Sequence, residues 1–176
     1  FGQLPLMVID GAPARTQSGG MLRWAGSTLS PTLYPSDRIL DIEEAMGIVD
    51  DMFKSYEPCT LNNHAERYGY PQGFGKTEEC KTMVADMRKK WVEEQLPKYL
   101  TFLSDLIEKN DGGFLASKEA PTIADCKAIP MLRSFTRGHI DYISTDCLEV
   151  TPKIVDYIKK FCALQPLQGR YINGIF

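Results

Sequence analysis

The sequence predicts two unequal parts, a short α/β segment at the start and an all-helical remainder, and three observations carry this expectation. The first 24 residues, FGQLPLMVIDGAPARTQSGGMLRW, set two short β-type runs around an Asp10-Gly11 turn and then pass into a helical pattern. From Arg38 onward, apolar residues recur at spacings of three and four in one segment after another. Within this second part, Thr122 and Asp125 stand at the spacing of a reciprocal helix N-cap.

In the opening segment, Leu6 to Ile9 reads as a strand and Asp10-Gly11 as a turn, with Ala12-Pro13 making the connection longer than a two-residue hairpin loop. Ala14 to Thr16 reads as the second strand, and Gln17-Ser18 opens a helix through Met21, Leu22 and Trp24. Leu4-Pro5 is an X-Pro step, the common setting for a cis peptide, which would turn the Leu4 backbone outward toward an extended ligand. The first turn of a helix leaves N–H groups unpaired and partly positive, so it suits a carboxylate or phosphate. A Ser hydroxyl and a Gln amide add donors and an acceptor there. Gln-Ser at a helix start is equally compatible with a simple cap.

Residues 25–37, with two prolines and several hydroxyls, read as a linker. Residues 38–56 predict an amphipathic helix burying Ile39, Ile42, Met46, Val49, Met52 and Phe53. Asp50-Asp51 falls inside it, and adjacent acids on a helix are by default solvated surface. Residues 57–76, rich in Pro, Gly and Asn, read as an extended connection. Thr77 then starts a long helix with Met83, Val84, Met87, Trp91, Leu96, Leu100, Leu103, Leu106 and Ile107 inward, a kink at Pro97 and a stop at Asn110 to Gly113. The Thr122 cap opens a further helix, and Thr151-Pro152 opens the last, carrying Ile154, Val155, Ile158, Phe161, Cys162 and Leu164 inward. Gln165-Pro166 ends it ahead of an apolar tail.

With 20 basic and 23 acidic residues, net charge -3, the chain has no basic excess to suggest nucleic acid. No apolar run approaches the roughly 20 residues of a membrane span, and the start lacks the pattern of a secretory leader, so a cytoplasmic location is expected. Five cysteines at scattered spacings form neither a zinc pattern nor a disulfide framework. His64 and His139 lack ligand-type neighbours, so no metal is expected.

FGQLP, an apolar strand, DG, QS and MLRW, together with the later APTIADCKAIPML, resemble the glutathione transferase family, closest to its sigma-like class, which includes prostaglandin D synthases. The turn before the capping motif departs from the family habit, with Ala116-Ser117-Lys118 where a glycine is common. The resemblance implies the glutathione transferase fold: the C-terminal half of an α/β thioredoxin-like domain (1–27), a linker (28–37) and an all-α helical domain (38–176). Two short strands alone cannot bury their faces, so a strand-helix-strand unit carrying the catalytic Tyr, Ser or Cys is expected ahead of Phe1, and no catalytic residue is assigned within the chain.

By the same resemblance, the Leu4 backbone pairs with the cysteinyl part of glutathione, Gln17 and Ser18 hold its γ-glutamyl end, and Gln3 meets the glycyl end. Asp51, 34 residues beyond Gln17, matches an acid supplied across a homodimer interface toward the ligand amino group. Phe53, Tyr56, Ile175 and Phe176 are candidates to border the pocket of a hydrophobic electrophile, with core packing the alternative. The implied activity is transfer of the glutathione thiolate, glutathione being the co-substrate, to an electrophile or peroxide. A non-catalytic module of the same fold and a glutathione-dependent isomerase are the alternatives.

Overall fold

A computed structural model describes residues 4–167 and residue 169. In the opening hairpin, Met7 and Arg15 exchange both backbone hydrogen bonds, at 3.0 and 2.8 Å. The turn between them closes through Ala12 N–H to Ile9 C=O at 2.9 Å, with Asp10 and Gly11 at φ 49° and 74°. Two positive φ values in succession are what Asp-Gly supplies in a hairpin turn. The two expected strands are thus reduced to one antiparallel bridge among the described residues. Pro5 and Pro13 each lack the N–H that would extend the ladder.

Helix α1, Ser18–Trp24, runs on through a widened turn, Ala25–Leu29, so part of the expected linker is helical. Gly26 is required where this turn crosses the helical body: a Cβ there would lie 2.6 Å from Ile123 Cγ2 and 3.0 Å from Tyr34 Cβ. Tight turns at Pro31–Leu33 and Ser36–Arg38 then lead into α2, Ile39–Tyr56.

Helix α2 is the central element and buries Ile42, Ala45, Met46, Val49, Met52 and Tyr56. Its buried stripe is narrower than the sequence suggests, since Ile39 and Phe53 are 38% and 58% exposed. One residue beyond Met52 the side chain turns by about 100°, which takes Phe53 off the stripe.

The extended connection expected at 57–76 is instead coiled. Turns at Glu57–Thr60, Ala65–Tyr68 and Phe74–Lys76 flank the single-turn helix α3, Leu61–His64. Leu61 and Ala65 bury against Cys80 and Val84 in a small second core, and Tyr70 stacks on Phe74 at 4.2 Å. The apolar residues of this stretch, few as they are, have one patch to cover.

Helix α4, Glu78–Lys90, is capped by the Thr77 hydroxyl accepting from Cys80 N–H at 3.2 Å. It passes through a widened turn, Trp91–Gln95, into α5, Leu96–Lys109. The expected break at Pro97 takes this form because the proline ring clashes with the carbonyl four residues back, at Glu93, and the wider turn makes room. Arg88 on α4 is buried, with Nε donating to Cys59 C=O at 3.1 Å and Nη1 to Asp141 C=O at 2.8 Å. It ties the 57–76 coil to the loop after α6.

Helix α6, Ile123–Phe135, starts on the expected capping box, with Thr122 N–H donating to Asp125 Oδ2 at 2.7 Å and Ala124 N–H to Thr122 Oγ1 at 3.3 Å. Residues 136–151 are turns. Helix α7, Pro152–Cys162, buries Ile154, Tyr157 and Phe161, while Val155, Ile158, Cys162 and Leu164 are only half-buried. Helices α5 and α6 pack on α2, and α7 covers both. At the centre, Trp91 lies 4.9 Å from Tyr56 and 5.1 Å from Phe135 between ring centroids, and its Nε1–H donates to Ser55 Oγ at 2.9 Å. Among the described residues, no helix is long and apolar enough to cross a membrane.

Candidate functional site

The sequence expectation centres on the junction between the hairpin and α1. Gln17 precedes the helix with φ 78° and ψ 90°, a left-handed conformation that an unbranched, non-glycine side chain rarely takes. Its carbonyl accepts from Met21 N–H at 3.1 Å and starts the helix, but its side chain makes no cap. The simple-cap reading of Gln-Ser is therefore not the arrangement found. Both side chains are exposed and have no hydrogen-bond partner among the described residues. The next two positions, Gly19 and Gly20, add no side chain to the first turn, and nothing lies within 4 Å of where a Gly20 Cβ would stand. This is an open set of backbone donors beside one hydroxyl and one amide.

Leu4 stands at the other end of the hairpin. Its bond to Pro5 is cis, its side chain is 86% exposed, and its backbone N–H and C=O have no partner among the described residues. Gln3, Ile175 and Phe176 lie outside the described residues.

The adjacent acids on α2 are separated by the fold. Asp50 pairs with Lys127 of α6 at 2.5 Å, which uses its charge inside the molecule. Asp51 is exposed, has no hydrogen bond or ion pair among the described residues, and lies on the outward face with Leu40, Glu44 and Gly47. No hydrogen bond or ion pair among the described residues joins it to Leu4, Gln17 or Ser18. Tyr56 belongs to the core aromatic cluster rather than to a pocket, whereas Phe53 projects from the surface.

Sequence reasoning missed the residues that hold α1 to this framework. Arg23 donates Nε to Glu43 Oε1 at 2.7 Å and Nη2 to Oε2 at 2.5 Å, and the Tyr34 hydroxyl adds a third bond to Oε1 at 2.8 Å. Arg23's hydrogen bonds hold the Glu43 carboxyl below the usual carboxylate range, helped by Tyr34 and by the Lys127 charge and opposed by partial burial. The Arg23 guanidinium is raised by the same bonds, and Tyr34 is raised chiefly by burial. Arginine at the end of a short helix with glutamate early in the next was the available signal.

Two recesses bear on the candidate site's surroundings and on the 57–76 coil. One, about 570 Å³, lies between hairpin and α1 and is lined by residues including Met7, Ile9, Met21 and Trp24. The other, about 540 Å³, is a polar recess in the 57–76 coil, with Asn62, His64, Arg67 and Lys76 at its wall. None of the described candidate residues lines either one. Among the described residues, no group of three or more metal-type ligands comes together.

Comparison with known families returns one description, Glutathione S-transferase, C-terminal domain, matched over residues 73–169, which is more than half of the chain. The chain belongs to this glutathione S-transferase family. No curated protein and no solved structure matches it. The matched span holds α4, α5, α6 and α7 of the glutathione S-transferase helical domain, including the Thr122–Asp125 capping box. Leu4, Gln17, Ser18 and Asp51 all precede it.

Proposed function

We propose that the protein is a glutathione transferase of the sigma-like class, with residues 1–27 as the end of the thioredoxin-like domain, 28–37 as linker and 38–176 as the helical domain. The observation that carries this reading is Gln17. In a chain of this family, a glutamine held left-handed, with neither its amide nor the Ser18 hydroxyl hydrogen-bonded among the described residues, has a conformational cost that no side-chain bond there offsets.

In this reading, the Ser18 hydroxyl and the free N–H groups of the first turn receive the α-carboxylate of the γ-glutamyl unit, and the Gln17 amide meets its polar edges. The Leu4 backbone pairs with the cysteinyl amide in strand fashion, and Gln3 meets the glycyl end. Asp51 faces the ligand ammonium from the second subunit of a homodimer. Its lack of a hydrogen-bond or ion-pair partner among the described residues and the neighbouring Leu40, 85% exposed on the same face, support that placement. Phe53 borders the site of a hydrophobic electrophile or peroxide. The reacting species is the glutathione thiolate, and the group that stabilises it is assigned to none of these residues. The reaction takes place in the cytoplasm.

Retention on immobilised glutathione, followed by a conjugation assay with an activated aryl halide, tests the proposal. Retention with turnover is expected. Retention without turnover would identify a binding module, and failure to bind would remove the glutathione site.

A further inference from the structure

Helix α1 presents Ser18 at its first position yet buries no residue of its own. Leu22 packs partly against the core, and Gly26, just beyond the helix, is pressed on Ile123 and Tyr34. Two such contacts fix where the helix ends but leave its direction free to swing. The direction is set by the two hydrogen bonds from the Arg23 fork onto Glu43, whose carboxylate also accepts from Tyr34. A bidentate guanidinium–carboxylate pair fixes an angle as well as a distance. Tyr34 constrains the carboxylate from a third direction, and Asp50–Lys127, nearby on α2, ties that helix to α6.

We propose that Arg23, Glu43 and Tyr34 form a positioning clamp for the glutathione site: Glu43 sets the orientation of α1 and, through it, the placement of Gln17 and Ser18. This rests on the glutathione reading above. The clamp residues do not touch the ligand. Arg23 and Glu43 side chains are 40% and 32% exposed, and ion pairs at such positions add little to global stability. The clamp's effect therefore falls on α1 and its ligand, not on the helical body.

The test uses the full chain with Glu43→Gln, Tyr34→Phe and the exchanged pair Arg23→Glu/Glu43→Arg. Amide hydrogen exchange is read along the chain, and the glutathione dissociation constant is measured by calorimetry. Glu43→Gln is expected to speed exchange in residues 18–24 while leaving α5 and α6 unchanged, and to weaken glutathione binding about tenfold. Tyr34→Phe, which removes one donor and no charge, has the same effects to a smaller degree. The exchanged pair recovers most of the affinity.

Equal glutathione affinity in Glu43→Gln and the parent protein would overturn the clamp while leaving the glutathione site standing. Exchange rising equally in α5 and α6 would overturn it as well, since the pair would then be general scaffolding. Should Glu43→Gln not fold, Tyr34→Phe carries the same comparison. A parent protein that does not bind glutathione overturns both readings together.

Discussion

Tyr157 of α7 donates its hydroxyl to Asp125 Oδ1 of α6 at 2.8 Å. The same carboxylate accepts from Leu115 N–H at 2.9 Å and, through Oδ2, from Thr122 N–H at 2.7 Å and Thr122 Oγ1 at 3.0 Å. Asp125 is fully buried, and burial pushes its carboxyl up while these four donors pull it down. Asp125→Ala strands buried donors and removes half of the cap, so a loss of about 2–4 kcal/mol in urea-unfolding free energy is expected. Tyr157→Phe removes one bond and should cost about 1 kcal/mol.

Acid should loosen α1 before the helical body. Glu43 faces Arg23 on α1, Tyr34 before α2 and Lys127 on α6, and its carboxyl is held below the ordinary value of 4.5. A depressed carboxyl lends stability that is present above that value and lost as pH falls through the folded-state one. Amide exchange in residues 18–24 should therefore differ between the parent protein and Glu43→Gln at pH 6 and converge toward about pH 3. A constant gap across that range would count against the assignment.

Gly20 and Gly26 should respond to alanine with opposite signs. Gly26→Ala drives a methyl to within 2.6 Å of Ile123 Cγ2 and should cost about 1–3 kcal/mol. Gly20→Ala meets nothing within 4 Å and should stabilise by about 0.5–1 kcal/mol through helix propensity. It also places a methyl on the proposed ligand approach, so retention on immobilised glutathione should fall as the melting temperature rises.

Asp50 and Asp51 offer a neighbouring pair of controls. Asp50→Asn breaks the bond to Lys127 and should change stability but not glutathione affinity. Asp51→Asn should leave stability within about 0.5 kcal/mol and, on the proposed homodimer reading, weaken glutathione binding. Denaturant melts beside calorimetric titrations distinguish the two.

The helices were legible wherever periodicity and a terminal signal agreed: Thr77 before α4, Thr122 before α6 and Pro152 opening α7 all stand where their chemistry placed them. What pattern could not reveal depends on distant partners. Arg88 reads as helix surface until the carbonyls of Cys59 and Asp141 are brought to it. Tyr157 is polar by type and buried because Asp125 meets it. The strands fell short because the two prolines withhold donors, and the 57–76 coil folded because Leu61 and Ala65 had Cys80 and Val84 to cover. At the site, residue types gave Gln17 and Ser18 their candidacy. Glutamine has no preference for positive φ, so its backbone conformation was not readable, nor was a clamp spanning 20 residues of sequence.

The widened turn at Trp91–Gln95 keeps time for the two cores that α4 and α5 share. Buried positions run Cys80, Val84, Arg88, Trp91, then skip to Leu96, Leu100, Leu103 and Ile107. In an unbroken α-helix, the five-residue step from Trp91 to Leu96 would rotate the second stripe by about 100° past the preferred four-residue spacing. The broad turn absorbs the surplus residue, and one face stays continuous along the whole rod. Chain length can therefore vary at this one point: removing a residue between Trp91 and Leu96, with Pro97 replaced by alanine, would restore the ordinary helical beat without turning either core toward water.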